Sequence, residues 1–179
     1  MFTNSKIKNI RTVCLFVFTF LLLTSFTENN NSIISYNLFK IGRSKDANEV
    51  IFDINVTKEN YLYVHGPVTI YWIKYTNNNR KEPLTWVQRN YAYGIEYTFI
   101  SKNYAEFHFV SYKKRKLIIK KDTDGKFKVF STINGQEAIV NYIFIQIDGG
   151  TFWLPKITKV EVQGESINTR QKIIEIIKP

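Results

Sequence analysis

The stretch HGPVTIYWIKYTNNNRKEPLTWVQRNYAYGIEY, His65–Tyr97, organises the rest of the chain. Val68–Tyr75 predicts a β-strand that is covered on both sides, because apolar and aromatic side chains occupy both of its alternating faces. A polar loop follows, and Pro83 and Gly94 then stand where a first-turn proline and a closing glycine bound a short helix. Apolar residues lie between them at the spacing of one helical face: Leu84, Val87 and Tyr91. The stretch therefore predicts one short helix inserted after the second strand of a β-rich chain.

Strand patterns repeat on both sides of this stretch. Val50–Val56 precedes it as the first full strand. The later segments are Ile95–Ser101, Ala105–Tyr112, Leu117–Lys121, Phe127–Ile133, Ala138–Ile147, Ile157–Gln163 and the isoleucine-rich Lys172–Ile177. The pairs Asp124-Gly125, Asn134-Gly135 and Gly149-Gly150 accept the positive φ of tight hairpin turns. About eight to ten hairpin-linked strands predict an all-β, mainly antiparallel domain, either a single barrel or a strongly curved sandwich, because closure removes exposed edges.

The N-terminal segment predicts export. Three cations, Lys6, Lys8 and Arg11, precede the apolar run Val13–Phe26, which is the pattern of a secretory signal peptide, with cleavage expected after Thr27. Residues 1–27 are therefore interpreted as a signal helix, 28–36 as a polar spacer and 37–179 as a single β-rich domain. A periplasmic or secreted location follows, with no stable transmembrane anchor after cleavage. In the alternative, an uncleaved N-terminal segment holds the protein at the membrane.

Charge and cysteine content narrow the classes of partner. The chain carries a formal net charge of +10, which falls to about +7 without the cations of the signal peptide. Outside the cytoplasm such a charge favours lipid headgroups, envelope polysaccharide or an acidic protein surface over nucleic acid, although it also serves solubility. The single cysteine, Cys14, lies inside the predicted signal peptide, so the mature chain is expected to have neither a disulfide nor a thiolate ligand.

No catalytic or metal-binding pattern is present in the sequence. The two histidines, His65 and His108, have no carboxylate at ligand spacing, and His108 alternates with phenylalanines so that it faces solvent. The sequence DTDG at Asp122–Gly125 has its glycine too early for a calcium loop and is interpreted as a turn. The sequence therefore predicts a protein without metal or cofactor that is not an enzyme.

Aromatic rings and cations cluster in the organising stretch. A concave site uses rings for contact area and arginine for bidentate contacts to carboxylate or phosphate. The candidate ligand-binding residues here are Tyr71, Trp72, Arg80, Trp86, Arg89 and Tyr93. In the alternative interpretation the helix plugs the mouth of a barrel, and Arg89 forms a structural bridge with Glu82 or Glu96.

The densest run of charge lies between two predicted strands. Its members are candidates for contact with an anionic surface: Lys113, Lys114, Arg115 and Lys116. The competing interpretation is a solvated hairpin connection or a guarded sheet edge, since lysines discourage edge-to-edge pairing.

The chain also resembles a family of uncharacterised exported bacterial proteins, domain of unknown function 4833. The resemblance rests on NLFKIGRSKDANEVIFDINV at 37–56, PVTIYWIKY at 67–75 and RKEPLTWVQRNYAYG at 80–94, and it extends from about Asn37 to Pro179. It implies a stand-alone exported domain of the bacterial envelope and brings no activity or catalytic residue with it. It adds Arg43 to the candidate ligand-binding residues, because Arg43 lies within the first block.

Three functions are compatible with these observations. The first is a periplasmic or secreted β-barrel module that binds a small amphipathic or anionic ligand between the aromatic strand and the helix. The second is a structural or interaction protein of the cell envelope that docks through its basic face. The third, less favoured, is a hydrolase with a carboxylate pair drawn from Asp53, Glu82, Glu96 and Glu106.

Overall fold

The computed structural model describes residues 32–151 and 154–179. The predicted signal peptide and residues 28–31 of the predicted spacer lie outside the described residues. Within them, eleven strands form one sheet, and their bounds are β1 (Ile34–Arg43), β2 (Asp46–Val56), β3 (Val68–Lys74), β4 (Arg80–Pro83), β5 (Ile95–Ser101), β6 (Tyr104–Phe109), β7 (Tyr112–Lys121), β8 (Phe127–Ile133), β9 (Gln136–Gly150), β10 (Pro155–Ser166) and β11 (Lys172–Ile177). A 3₁₀ turn occupies Tyr75–Asn77, and one α-helix, α1, occupies Trp86–Tyr91. The all-β prediction is confirmed.

Strand β9 is the centre of the sheet. Its first residues pair with β8 and residues 142–145 pair with β1, while β10 runs along its other edge and carries β11. From β1 the sheet continues through β2 and β3 to β4, and from β8 it continues through β7 and β6 to β5. The β1–β9 pairing is parallel, and every other pairing of named strands in the described chain is antiparallel. The sheet curls into a half-barrel.

Phenylalanine rings fill the inside of the curl. The rings of Phe39 and Phe52 stack at 4.3 Å between centroids, and Phe39 also stacks on Phe107 of the opposite part of the sheet at 6.3 Å. The ring of Phe109 meets Phe52 edge-on at 5.7 Å. Because these residues come from β1, β2 and β6, the two halves of the sheet pack face to face. The interior is a packed core of side chains.

Two of the three hairpin predictions hold at their turns: Asn134 and Gly135 have φ of 48° and 76°, and Gly125 has φ of 76°. Gly149 and Gly150 have positive φ but are the last residues of β9, and Gly150 pairs with Pro155, so the chain reverses after this pair and not at it. The isoleucine-rich segment at the C-terminal end is the strand β11, as predicted.

Two strands were not predicted. Strand β1 begins at Ile34, inside the predicted spacer, and β4 consists of the polar sequence RKEP, which has no apolar alternation. The helix was predicted to follow the second strand; it lies within the predicted segment between Pro83 and Gly94, but because β1 and β4 precede it, it follows the fourth strand.

Helix α1 is shorter than its predicted limits. Pro83 ends β4, and the helix begins after Thr85, whose hydroxyl accepts a hydrogen bond from the backbone N–H of Gln88 while the Gln88 side chain accepts one from the backbone N–H of Thr85. This reciprocal capping box satisfies two otherwise unpaired donors. In the part of the chain that the structure describes, no helix is long and apolar enough to cross a membrane.

Candidate functional site

Three of the predicted site residues come together below α1. Arg43 ends β1, Trp72 lies in the middle of β3, and Tyr93 follows the helix. The Arg43 guanidinium lies over the Trp72 ring at 4.5 Å from its centroid, and Nη1 of Arg43 donates to the Tyr93 hydroxyl at 3.5 Å. The rings of Trp72 and Tyr93 meet edge-on at 5.3 Å. These contacts form one cluster of two aromatic rings and a cation.

The two rings of this cluster are closed to solvent, while Arg43 is partly exposed and paired with Asp46. Trp72 is 1% exposed and Tyr93 is 9% exposed. The indole Nε1 of Trp72 donates to Oε1 of Gln88 at 3.1 Å, so the helix lies directly on the strand, and Lys74 Nζ lies 4.8 Å from the Trp72 ring centroid. Burial raises the pKa of the Tyr93 hydroxyl, although the nearby Arg43 opposes the rise. The space in which a ligand was predicted, between the aromatic strand and the helix, is filled by these side chains.

Tyr71 faces the other side of the sheet. Its hydroxyl donates to Oδ2 of Asp53 at 2.7 Å, and Lys81 Nζ lies 4.7 Å from its ring centroid. Burial and the bond to Asp53 raise the pKa of Tyr71 to about 12. Ile51, directly opposite Tyr71 on β2, is only 3% exposed. The Trp72 face of β3 is therefore buried, while the Tyr71 face is only partly covered, with Thr69 exposed and Tyr75 40% exposed, so the prediction that both faces are covered is wrong for this face.

The remaining residues of the predicted aromatic site lie at the surface. Arg80 pairs with Glu82 within β4. Trp86 is 69% exposed and lies beside Tyr91. Arg89 is exposed and makes no ion pair among the described residues, so the predicted bridges to Glu82 or Glu96 are wrong. The structure thus divides the predicted site into a buried cluster, an outer-face residue and an exposed group.

The basic run lies within a strand. It was predicted to connect two strands, but β7 begins at Tyr112, so the run alternates between the faces of the sheet. Arg115 has the parity of the core residues Leu117 and Ile119, and its side chain is 14% exposed. Lys113, Lys114 and Lys116 are exposed. Three of the four cations therefore face solvent, and the arginine does not.

Three cations of the basic run each form an ion pair with a glutamate. Arg115 Nη2 donates to Oε1 of Glu175 at 2.6 Å, and Lys116 Nζ lies 3.2 Å from Oε1 of Glu106. Lys113 Nζ lies 2.9 Å from a carboxylate oxygen of Glu96, which also bonds His108. The hydrogen bonds from Lys113 and His108 lower the pKa of the Glu96 carboxyl, and the bond from Lys116 contributes to lowering that of Glu106.

Lys114 differs from its neighbours in the run. Among the described residues it makes no ion pair.

An open groove runs along the outer face of β7 and β8. It has a volume of about 550 Å³. Ile118 and Phe130, directly opposite each other on the two strands, form its base, and Lys114 and Lys116 stand along it on the same side of β7. Tyr112 lines one part of it. A second, smaller groove of about 320 Å³ is lined by residues of β9 and β10, by Arg170 in the turn before β11 and by Lys172 at the start of β11.

The acids proposed for a hydrolase lie apart from both grooves. Asp53 accepts from Tyr71, Glu82 pairs with Arg80, and Glu96 and Glu106 bind lysines of the basic run. None of the four lines either groove. Within residues 32–151 and 154–179, no group of three or more His, Cys, Asp or Glu side chains could hold a metal ion.

Sequence reasoning missed the base of the main groove. Ile118 and Phe130 belong to segments that were predicted as strands, and their alternation with Leu117, Ile119 and Val129 would place them on the outer face. That the two lie side by side depends on the β7–β8 register, which follows from the Asp124-Gly125 turn. The hairpin marker was therefore the signal that could have located the groove.

Comparison with curated proteins and with solved structures gives no significant match. A family model described as a domain of unknown function (DUF4833) matches residues 39–176. This range runs from β1 to β11 and includes the buried cluster, α1 and the groove. The chain therefore belongs to the DUF4833 family.

Proposed function

We propose that this protein is an exported, non-enzymatic binding module that holds a small amphipathic anion in the groove of β7 and β8. The observation that carries the proposal is the combination of an apolar base, Ile118 and Phe130, with the cations Lys114 and Lys116 beside it. The volume of about 550 Å³ lies within the range of about 300–1,000 Å³ that is usual for small-molecule sites. The site differs from the predicted one, because the space below α1 is filled.

Local charges favour an anion in this groove. The two acids that line it are already compensated, since Glu137 pairs with Lys120 at 2.8 Å and Glu175 pairs with Arg115 at 2.6 Å. Of the two groove lysines, Lys116 is paired with Glu106 at 3.2 Å, whereas Lys114 makes no ion pair in the described chain and so loses no existing partner when a ligand binds. An acid group would lie near Lys114 and Lys116, and an alkyl or aromatic body would lie along Ile118 and Phe130.

The test is calorimetric titration with dodecanoate and dodecyl phosphate, with dodecyl maltoside as the uncharged comparison. The double variant Lys114→Gln/Lys116→Gln should bind both anions at least tenfold more weakly than the wild type. The control, Lys45→Gln/Lys58→Gln, removes the same charge from exposed positions outside the groove and should bind like the wild type. Wild-type protein that binds neither anion, or equal losses in the two double variants, would contradict the proposal.

A second candidate function is docking onto an acidic component of the envelope. The packed interior and the exposed lysines of β7 favour it, because neither needs an internal ligand site. A salt-sensitive pull-down of an envelope partner that is lost in Lys113→Gln/Lys114→Gln, without any binding of the two small anions, would favour docking over the groove. Arg115 is left unchanged in this test because it pairs with Glu175.

A further inference from the structure

Helix α1 carries an exposed pair of aromatic side chains. Trp86 is 69% exposed and Tyr91 is 67% exposed, and their ring centroids lie 5.7 Å apart in an edge-on arrangement. Single exposed apolar residues are common, whereas contiguous exposed apolar surface marks protein, membrane or ligand interaction sites. Within the described chain nothing packs over this pair.

The pair is presented by a firmly held support. Leu84, just before the helix, is 5% exposed, and Gln88 joins the helix to the buried Trp72 through a 3.1 Å hydrogen bond. The capping box of Thr85 and Gln88 fixes the first turn. One side of α1 is thus bound to the domain, while Trp86 and Tyr91 extend into solvent. Aromatic rings held in this way lose little conformational freedom when they bind.

The only charged side chain of α1 is a cation. Arg89 is exposed and makes no ion pair among the described residues, whereas on the adjacent strand β4 Arg80 is paired with Glu82 and Lys81 lies against Tyr71 on the other side of the sheet. Tryptophan and tyrosine favour the headgroup level of a bilayer, where one end of the ring is apolar and the other wet. Cations beside them are attracted to anionic lipid headgroups.

From these observations we infer that α1 is a contact site for an anionic lipid bilayer, at which Trp86 and Tyr91 enter the headgroup region and Arg89 approaches lipid phosphates. The inference is independent of the proposed groove, which lies on β7 and β8. The contact area is small, because the two rings project from a helix of only six residues. A bilayer surface can accept such a small aromatic and basic contact, since its headgroups rearrange around the inserted rings.

The experiment measures tryptophan fluorescence of the full chain with vesicles whose acyl chains are brominated, because bromine quenches only rings that approach the lipid. Vesicles of phosphatidylcholine with one-third phosphatidylglycerol are compared with pure phosphatidylcholine. The wild type should show quenching that is stronger on the anionic vesicles and decreases in high salt. Trp86→Phe should lose most of the quenchable emission, and Arg89→Gln should need at least threefold more anionic lipid for the same quenching.

Two controls separate this site from others. Ile176→Ser alters a residue on β11 that is 57% exposed and should leave the quenching unchanged, and so should the groove variant Lys114→Gln/Lys116→Gln. Equal quenching in the wild type and Trp86→Phe would overturn the inference, because the quenched ring would then lie elsewhere. Absence of quenching in the wild type would overturn it as well. A dimer that Trp86→Ala/Tyr91→Ala converts to monomer would assign this surface to a second copy of the chain instead.

Discussion

The guanidinium of Arg115 on β7 is joined to the carboxylate of Glu175 on β11, with Nη2 2.6 Å from Oε1. The contact spans the half-barrel, because β7 and β11 are not neighbours in the sheet. Arg115 Nη1 also donates to the carbonyl of Thr132, and the backbone N–H of Asn134 donates to the other oxygen of Glu175. Although burial alone would raise the pKa of Glu175, these two donors lower it. One arginine of the basic run thus holds the last strand against the rest of the sheet.

Loss of this arginine is expected to destabilise the domain. Arg115→Ala leaves the partly buried Glu175 without its cation, which should lower the free energy of unfolding by about 3 kcal/mol. Lys114→Ala, one residue away and exposed, should change it by less than about 0.5 kcal/mol. Urea unfolding followed by circular dichroism measures both. Equal effects of the two variants would show that the pair contributes nothing beyond a surface charge.

Gln88 is expected to matter more than its exposed neighbour Arg89. Its side-chain oxygen accepts from the buried indole of Trp72 and from the backbone N–H of Thr85. Gln88→Ala leaves the indole N–H unpaired and opens the capping box, which together should cost about 2–3 kcal/mol of stability. Arg89→Ala should cost less than about 0.5 kcal/mol. Thermal unfolding checks the order, and a Gln88 variant as stable as the Arg89 variant would contradict this account.

The fold class could be predicted because turns and alternation are local signals. Asn134-Gly135 and Asp124-Gly125 mark their hairpins, and Lys172–Ile177 forms a strand through its β-branched residues. Strand β4 was not predicted because RKEP has no apolar face. It is a strand through its antiparallel backbone pairing with the edge of β3, which a local sequence pattern does not show. The capping box of Thr85 and Gln88 was readable in the sequence, and it gives the true start of α1.

The candidate site was harder to predict, because side-chain orientation depends on strand bounds. Arg115 would have been assigned to the core side if β7 had been extended back to Tyr112, since it then shares parity with Leu117. Trp72 and Tyr93 were expected to line a site, but whether such rings leave space or fill it depends on packing between distant strands. Sequence pattern identifies the residues that converge and does not reveal the space between them.

Asp122 is expected to make stability depend on pH in acid. Burial raises its pKa, but hydrogen bonds from the backbone of Thr123 and from Arg170 and Lys128 outweigh this and lower the pKa from 3.8 to about 2. Because the folded-state pKa is depressed, the contribution is fully present well above the unfolded-state pKa of 3.8 and is lost as the pH falls through 3.8 towards 2. Asp122→Asn should therefore destabilise the protein at pH 7 and have little effect near pH 2.

The control for Asp122 is Glu137→Gln, which removes a carboxylate of the half-exposed pair with Lys120. Its effect at pH 7 should be less than about 1 kcal/mol. Urea midpoints measured from pH 2 to pH 7 provide the comparison. A constant difference between wild type and Asp122→Asn across this range would argue against the depressed pKa as its source.

Gly94, the glycine after α1, is expected to tolerate no side chain. A Cβ added there would lie 1.8 Å from the carbonyl oxygen of Arg89, so the backbone at the end of the helix would have to move. Gly94→Ala should lower the free energy of unfolding by about 2–3 kcal/mol, since overpacking against backbone cannot be relieved by a rotamer change. It should also disturb Tyr93, whose ring contacts Trp72, and thus change the near-ultraviolet circular dichroism.

The matched substitution is Gly66→Ala, where nothing lies within 4 Å of the new Cβ. It should be neutral or stabilise the protein by up to about 1 kcal/mol, because alanine restricts the unfolded chain. Urea unfolding of both variants separates a steric requirement from a general sensitivity to alanine. If Gly94→Ala unfolds at the same urea concentration as Gly66→Ala, the close approach to Arg89 is not what requires glycine at the end of α1.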